Sequence, residues 1–195
     1  VARSMQALVW THGLDSVAVP RLPAHAARWL APWRRQLQAR TDAARTTRWW
    51  TVFRTESARP GHPRVVWSDI SKVPRATVLE PGDPTVAINT CYVASVPTLD
   101  DAFAFAALLN SAPAAAWLCG LAEPARGGYR RFLGWTLARF PVPSDWTSAV
   151  RILAPIGRAA RDGVVPDVRT LALAVARAYG LRLARLEPLM TWCLR

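Results

Sequence analysis

PRVVWSDI (63–70), TVAINTCYVASV (85–96) and LDDAFAFAALLNS (99–111) carry the change from strand to helix period on which the fold class rests. The first two are short and rich in β-branched and aromatic residues, which predicts strands, the second being the clearest in the chain. Between them SKVPRATVLEPGDP (71–84) mixes Lys72, Arg75 and turn residues, and predicts a poorer strand followed by a loop. In the third stretch the period becomes helical. Thr98 can cap that helix, Asp100 and Asp101 stand in its first turn where the helix dipole favours negative charge, and Phe103, Phe105, Ala106, Leu108 and Leu109 follow. PAAAWLCGLA (113–122) continues as a second helical piece. Together these segments predict an α+β fold: a small, mostly antiparallel or mixed sheet covered by helices, ending in a C-terminal helical tail.

Downstream of the helical pair, RGGYRRF (126–132) sets two consecutive glycines among three arginines and a tyrosine. Gly127 and Gly128 allow positive φ and a close approach of backbone to a ligand, while Arg126, Arg130 and Arg131 bring forked donors and Tyr129 a stacking ring. The same segment also reads as a surface hairpin with solvated arginines. FPVP (140–143) is an extended, proline-fixed closure. Beyond it, 144–195 reads as three helices with stripes Val150, Leu153, Ile156; Leu171, Leu173, Val175, Ala178; and Leu183, Leu186, Leu189. Asp167 reads as an N-cap and Gly180 as a helix stop.

Upstream, LPAHAARWLAPWRRQLQAR (22–40) carries Trp29, Leu30, Trp33 and Leu37 at helical spacing, interrupted by Pro32. It reads as a docking helix or as one whose arginines lie along a phosphate backbone. RWWTVFR (48–54) places Trp49 and Trp50 between Arg48 and Arg54, either as base-stacking and fork donors or as core anchors. Residues 1–20 have no assigned function. The start, VARSMQALVW, lacks an initiator Met and the features of a secretory signal, and reads as an internal cut from a longer polypeptide.

The 195 residues are 51% apolar, enough to bury a core, yet no apolar run reaches the ~20 residues that span a bilayer; a soluble, cytoplasmic bacterial chain is expected. The net charge is +12, distributed as +8 over 1–80, −4 over 81–125 and +8 over 126–195. Two basic flanks around an acidic, apolar middle fit a polyanion-binding surface. A GC-rich coding bias accounts for 24 Arg against one Lys, but not for the excess of basic over acidic residues. Cys91, Cys119 and Cys193 stand far apart and read as reduced, buried thiols, without zinc spacing. His12, His25 and His62 are scattered and read as structural.

The order and spacing of RWWTVFR, HPRVVWSDISKVPR (62–75), INTCYVASV (88–96), LDDAFAFAALLNS and RGGYRRFLGWTLARFPVP (126–143) resemble the TaqI-like C-terminal specificity domain. This is the target-recognition module of adenine-N6 DNA methyltransferases and fused restriction-modification enzymes. In that resemblance Asn89 and Thr90 match a recurring polar pair, while a polar step inside a strand also reads as one that simply holds a bend. The resemblance implies a module that reads a short site in double-stranded DNA for phage defence and positions the adenine that a separate catalytic domain flips and methylates. The implied DNA-binding residues are Arg126, Gly127, Gly128, Tyr129, Arg130, Arg131, Trp49, Trp50, Arg54, Arg64, Lys72 and Arg75. Its organisation would be a linker and docking helix (1–45), a recognition domain (46–143) and the helical tail (144–195).

The chain has no Asn/Asp-Pro-Pro-aromatic tetrapeptide, no Gly-rich cofactor loop after a buried strand and no nuclease PD…(D/E)xK constellation. No catalysis is therefore expected of it alone. S-adenosylmethionine would belong to a catalytic methyltransferase domain of the same parent polypeptide. The alternative expectation is a protein-interaction scaffold in a restriction or phage-defence complex.

Overall fold

A computed structural model describes residues 8–13, 15–43, 46–52, 55–58 (backbone alone at 56 and 57) and 61–192. The chain divides into two units: Val1–Gly61 with Pro84–Val86, and His62–Asp83 with Ala87–Arg195.

In the first unit, Pro32 breaks the expected long helix. Helix α1 (Ala24–Leu30) passes through a single 3-10 turn (Ala31–Trp33) into α2 (Arg34–Gln38). Trp29 and Trp33 are 63% and 52% exposed, so the expected apolar stripe is not a buried one within this unit. The unit is held by side chains reaching backbone carbonyls. Trp50 donates its indole N–H to the Val19 carbonyl (3.1 Å), Arg48 donates to the Ala18 carbonyl (2.6 Å), and Thr11 Oγ1 donates to the Trp50 carbonyl (2.7 Å). His12 is buried against Thr11 and receives the Val52 N–H, and burial lowers its pKa against the opposing pull of Asp15. It is a structural histidine, as the sequence suggests.

The second unit is α+β. Strands β1 (Arg64–Ser68), β2 (Ile70–Ser71), β3 (Ala76–Leu79) and β4 (Cys91–Ser95) are followed by helices α3 (Leu99–Leu109) and α4 (Ala112–Leu121). After these come β5 (Glu123–Pro124), β6 (Arg130–Arg131) and helices α5 (Gly134–Ala138), α6 (Trp146–Arg161), α7 (Val168–Ala178) and α8 (Glu187–Trp192). One antiparallel sheet has the order β3-β1-β4, and a second, smaller antiparallel sheet has the order β2-β6-β5.

Thr98 and Asp101 form a capping box at the start of α3. Ser111, fully buried, both donates to the Leu108 carbonyl and caps α4. The break at Asn110 and Ser111 bends α3 against α4 by 72°. No single described helix is long and apolar enough to cross a membrane, and α3 and α4 line the core instead. Asn110, at the end of α3, accepts the Ala76 N–H (2.8 Å) and donates to the Ala76 carbonyl (2.9 Å). Its amide thereby stands in for a neighbouring strand along the open edge of β3.

Helix α6 lies so close to α3 that a Cβ on Gly157 would stand 2.2 Å from the Phe103 carbonyl oxygen. Leu153 and Ala149 on the same helix are completely buried, and Arg158 pairs with Asp100 above the Phe103 ring. Asp145 caps α6 and Asp167 caps α7, while Gly180 (φ +65°) ends α7. Tyr179 donates its hydroxyl to the Pro141 carbonyl and is pushed up to about 12 by burial, so it pins the FPVP segment as a neutral donor. The C-terminal helices therefore belong to the same core as the larger sheet, and the boundary expected at 143 separates no unit. Residues 46–61 likewise belong with the first unit. The strand expected over 85–96 is shorter than its sequence pattern. β1 offers partners only as far as Ser68 opposite Cys91, and Asn89 and Thr90 form an exposed turn whose Thr90 carbonyl receives the Asp69 N–H.

Replacing Gly157 by Ala is expected to destabilise the protein. The gain of up to ~1 kcal/mol in helix propensity is smaller than the ~1–3 kcal/mol of overpacking against a backbone that cannot yield locally. An unchanged midpoint in denaturant unfolding would contradict the close approach.

Asp101 provides a pH test. Burial pushes its carboxyl up, but hydrogen bonds from the Thr98 side chain, the Trp146 indole and the Thr98 backbone together outweigh it and hold the pKa below its ordinary value. A depressed folded-state pKa adds stability that is present above the ordinary carboxylate range and disappears as pH falls through the lower folded value. Asp101→Asn is expected to flatten the decline of thermal midpoint below pH ~4 relative to the parent chain.

Candidate nucleic-acid interface

β1 and β2 are separated by one residue, Asp69, and that residue organises the site. Its backbone carbonyl accepts the Phe132 N–H (2.7 Å), and its carboxylate, on a side chain only 12% exposed, receives Arg131 Nη2 (3.0 Å). The Trp67 indole donates to the Phe132 carbonyl (2.9 Å), and Phe132 itself is fully buried. The chain is thus clamped at 131 and 132 against the end of β1. The Asp69 charge and hydrogen bond also raise the Arg131 pKa further above its already high value.

From that clamp the small sheet projects a tight turn. Ser71 opposes Arg130, Arg130 opposes Pro124, and the Ala125 N–H bonds to the Tyr129 carbonyl (2.8 Å), closing a loop over 126–128. Gly127 (φ +75°) and Gly128 (φ +77°) both occupy the left-handed region, as the paired glycines predict. Because neighbouring strand residues face opposite sides, Arg130 and Arg131 diverge. Arg131 turns to Asp69, whereas the Arg130 guanidinium lies 5.7 Å from the centre of the Trp192 ring on α8. Lys72, carried just after β2, brings its ammonium within 5.9 Å of the Tyr129 ring centre. The buried Cys119 thiol of α4 faces the Lys72 carbonyl at 3.7 Å, tying that turn to the helical layer. Arg126 and Tyr129 are exposed.

Six of the expected residues, Arg126, Gly127, Gly128, Tyr129, Arg130 and Lys72, therefore gather on one small sheet and its turn. Arg131 sits there too, but as a strut engaged with Asp69. The others separate from them. Arg64 is completely buried, with one guanidinium nitrogen on the Asp83 carbonyl (2.6 Å), and burial lowers its pKa against the pull of Asp83. It cannot meet a phosphate from that position, and its assignment as a contact is corrected. Arg75 is exposed at a half-open cleft of about 510 Å³ formed by residues including Val78, Phe103, Asn110, Gly157 and Arg161. That cleft is mostly apolar and lies at β3, α3 and α6. In the first unit, Trp50 is a half-buried anchor through its bond to Val19, edge-on to Trp49 at 5.6 Å, and Trp49 lies against Arg34. Arg54 lies outside the described residues.

Sequence reasoning missed Asp69, Trp67 and Trp192. An acid ending a strand and a tryptophan in a short terminal helix carry no distinctive spacing; they become site residues only through contacts across 62 or 65 positions of chain. Among the described residues no group of three His, Cys, Asp or Glu side chains could hold a metal ion. No family model matches the chain, and no curated protein is significantly similar to it.

Gly128→Val is expected to destabilise the turn by about 1–2 kcal/mol, because a β-branched residue resists positive φ although the space around it is open. Gly120→Ala in α4, where a Cβ also meets open space, is expected to be neutral or stabilising by up to ~1 kcal/mol. Equal effects of the two substitutions on the unfolding midpoint would contradict the left-handed turn.

Proposed function

We propose that the second unit is a DNA target-recognition module that grips a duplex and reads a short site through the turn at 126–130. The single observation that carries this reading is the convergence of Arg126, Tyr129, Arg130 and Lys72 around a turn whose two glycines let backbone come close to a groove. An Arg fork matches the O6 and N7 edge of guanine, Tyr129 presents a π-face to a base, and Lys72 and Arg126 suit phosphates. The +12 net charge supplies the long-range attraction. In this reading methyl transfer, with S-adenosylmethionine, belongs to a separate catalytic domain whose adenine target this module positions, and the resemblance to TaqI-like specificity domains supports that pairing.

The scaffold alternative draws on a different place. Val164 and Val165 are 67% and 78% exposed, and Val165 borders the cleft near Arg75. An acidic, apolar protein segment would suit that border better than DNA would.

Titration of fluorescent random-sequence duplex separates the two. DNA reading predicts an affinity falling about 10³-fold between 50 and 200 mM salt for roughly six phosphate contacts. Within a selected site, Arg130→Ala should weaken binding by about 1–3 kcal/mol and relax preference at one base position. Arg126→Ala and Lys72→Ala should weaken all sequences evenly. No duplex binding at low salt would contradict the proposal.

A further inference from the structure

We infer that Trp192 is a positioning residue for Arg130, and that the C-terminal helix α8 is therefore part of the reading surface. This rests on the proposed function and extends it to a segment that the motif leaves out. A guanidinium on a three-carbon stem carries large rotamer freedom, and a base-edge contact needs its planar fork held in one orientation. Two constraints act on Arg130. Its backbone is fixed in β6 between Ser71 and Pro124, and its guanidinium lies 5.7 Å from the centre of the Trp192 indole. An aromatic face attracts the cation without using any of its five N–H donors. The fork stays available for an acceptor pair while its plane is restrained.

Trp192 is well placed for this task and poorly placed for a core role. It is 44% exposed at the last turn of α8, whereas the residue that anchors this part of the chain is Leu186, 9% exposed. Helix α8 packs on α4, the helix whose Cys119 faces the Lys72 carbonyl. One helical layer therefore backs both the lysine and the arginine of the turn. Arg131 has its own partner in Asp69, so the stacking device serves only the arginine that faces away from the clamp.

The test is a double-mutant cycle on this chain with Arg130→Ala, Trp192→Ala, Trp192→Phe and the pair, bound to duplexes selected from a randomised library. Trp192→Ala should weaken selected-site binding about threefold to thirtyfold, relax the same base position as Arg130→Ala, and add nothing once Arg130 is gone. Trp192→Phe should restore most of the preference. In the free chain, the Arg130 side-chain NMR signals should show a ring-current shift that Trp192→Ala removes. Loss of preference in Arg130→Ala with none in Trp192→Ala would overturn the role of Trp192 and leave the DNA reading intact. No preference in any variant, with the ring-current shift present, would overturn the DNA reading and the positioning role with it. Absence of the shift would overturn the contact itself.

Discussion

The approach of α6 to α3 at Gly157 sets the rest of the second unit. With the Phe103 carbonyl 2.2 Å from where a Cβ would stand, only glycine lets the two helices meet at this distance. That contact buries Ala149 and Leu153 against the face that also carries Phe103 and Ala107. Helix α3 also packs on β1 and β3, whose Val65, Trp67 and Val78 share its core. Once α3 is held between α6 and the sheet, its C-terminal Asn110 reaches the edge of β3 and Ser111 can start α4 at a steep angle. Helix α4 then supports α8 and the Lys72 turn. The stability of this arrangement is hydrophobic, while its register is set by polar caps at Thr98, Ser111, Asp145 and Asp167.

The small sheet is different in kind. Its strands are two residues each, too short to hold themselves, so it depends on the clamp of Trp67 and Asp69 on residues 131 and 132. A turn built this way has a rigid root in the core and a tip of positive-φ glycines. In the proposed DNA reading the root would fix where Arg130 and Tyr129 point, and the tip would remove bulk that holds backbone off a groove. The adjacent arginines face opposite ways through strand geometry, Arg131 turned to Asp69 and Arg130 to Trp192.

Much of this was legible in the residues. The Thr98 cap, the Asp167 cap, the Gly180 stop and the positive-φ pair at Gly127 and Gly128 all follow from local chemistry, and the structure has each of them. What local chemistry could not supply was partner choice. The pattern at 85–96 is strand-like except for the polar step at Asn89 and Thr90, and the chain turns there because β1 ends at Ser68 and leaves Ile88 to Thr90 without a ladder. Arg64 was implied as a DNA contact by the resemblance alone, yet the fold buries it entirely. Of Trp49 and Trp50 at least one read as a core anchor, and the Val19 carbonyl shows which one it is. The short helix α5 was hidden because GWTLA carries one turn of pattern between two proline- and arginine-rich segments. The tail was legible as helices with apolar stripes, but the partner of those stripes was not, since Leu171 and Val175 are buried where α7 packs on α6.

Hydrogen–deuterium exchange of this chain with and without a short duplex asks where DNA touches without presupposing a sequence. Slowed exchange concentrated in 123–131 and 70–72, with 187–192 following, is the predicted result. Protection confined to the cleft at 73–78 and 160–168, or to the first unit, would contradict it.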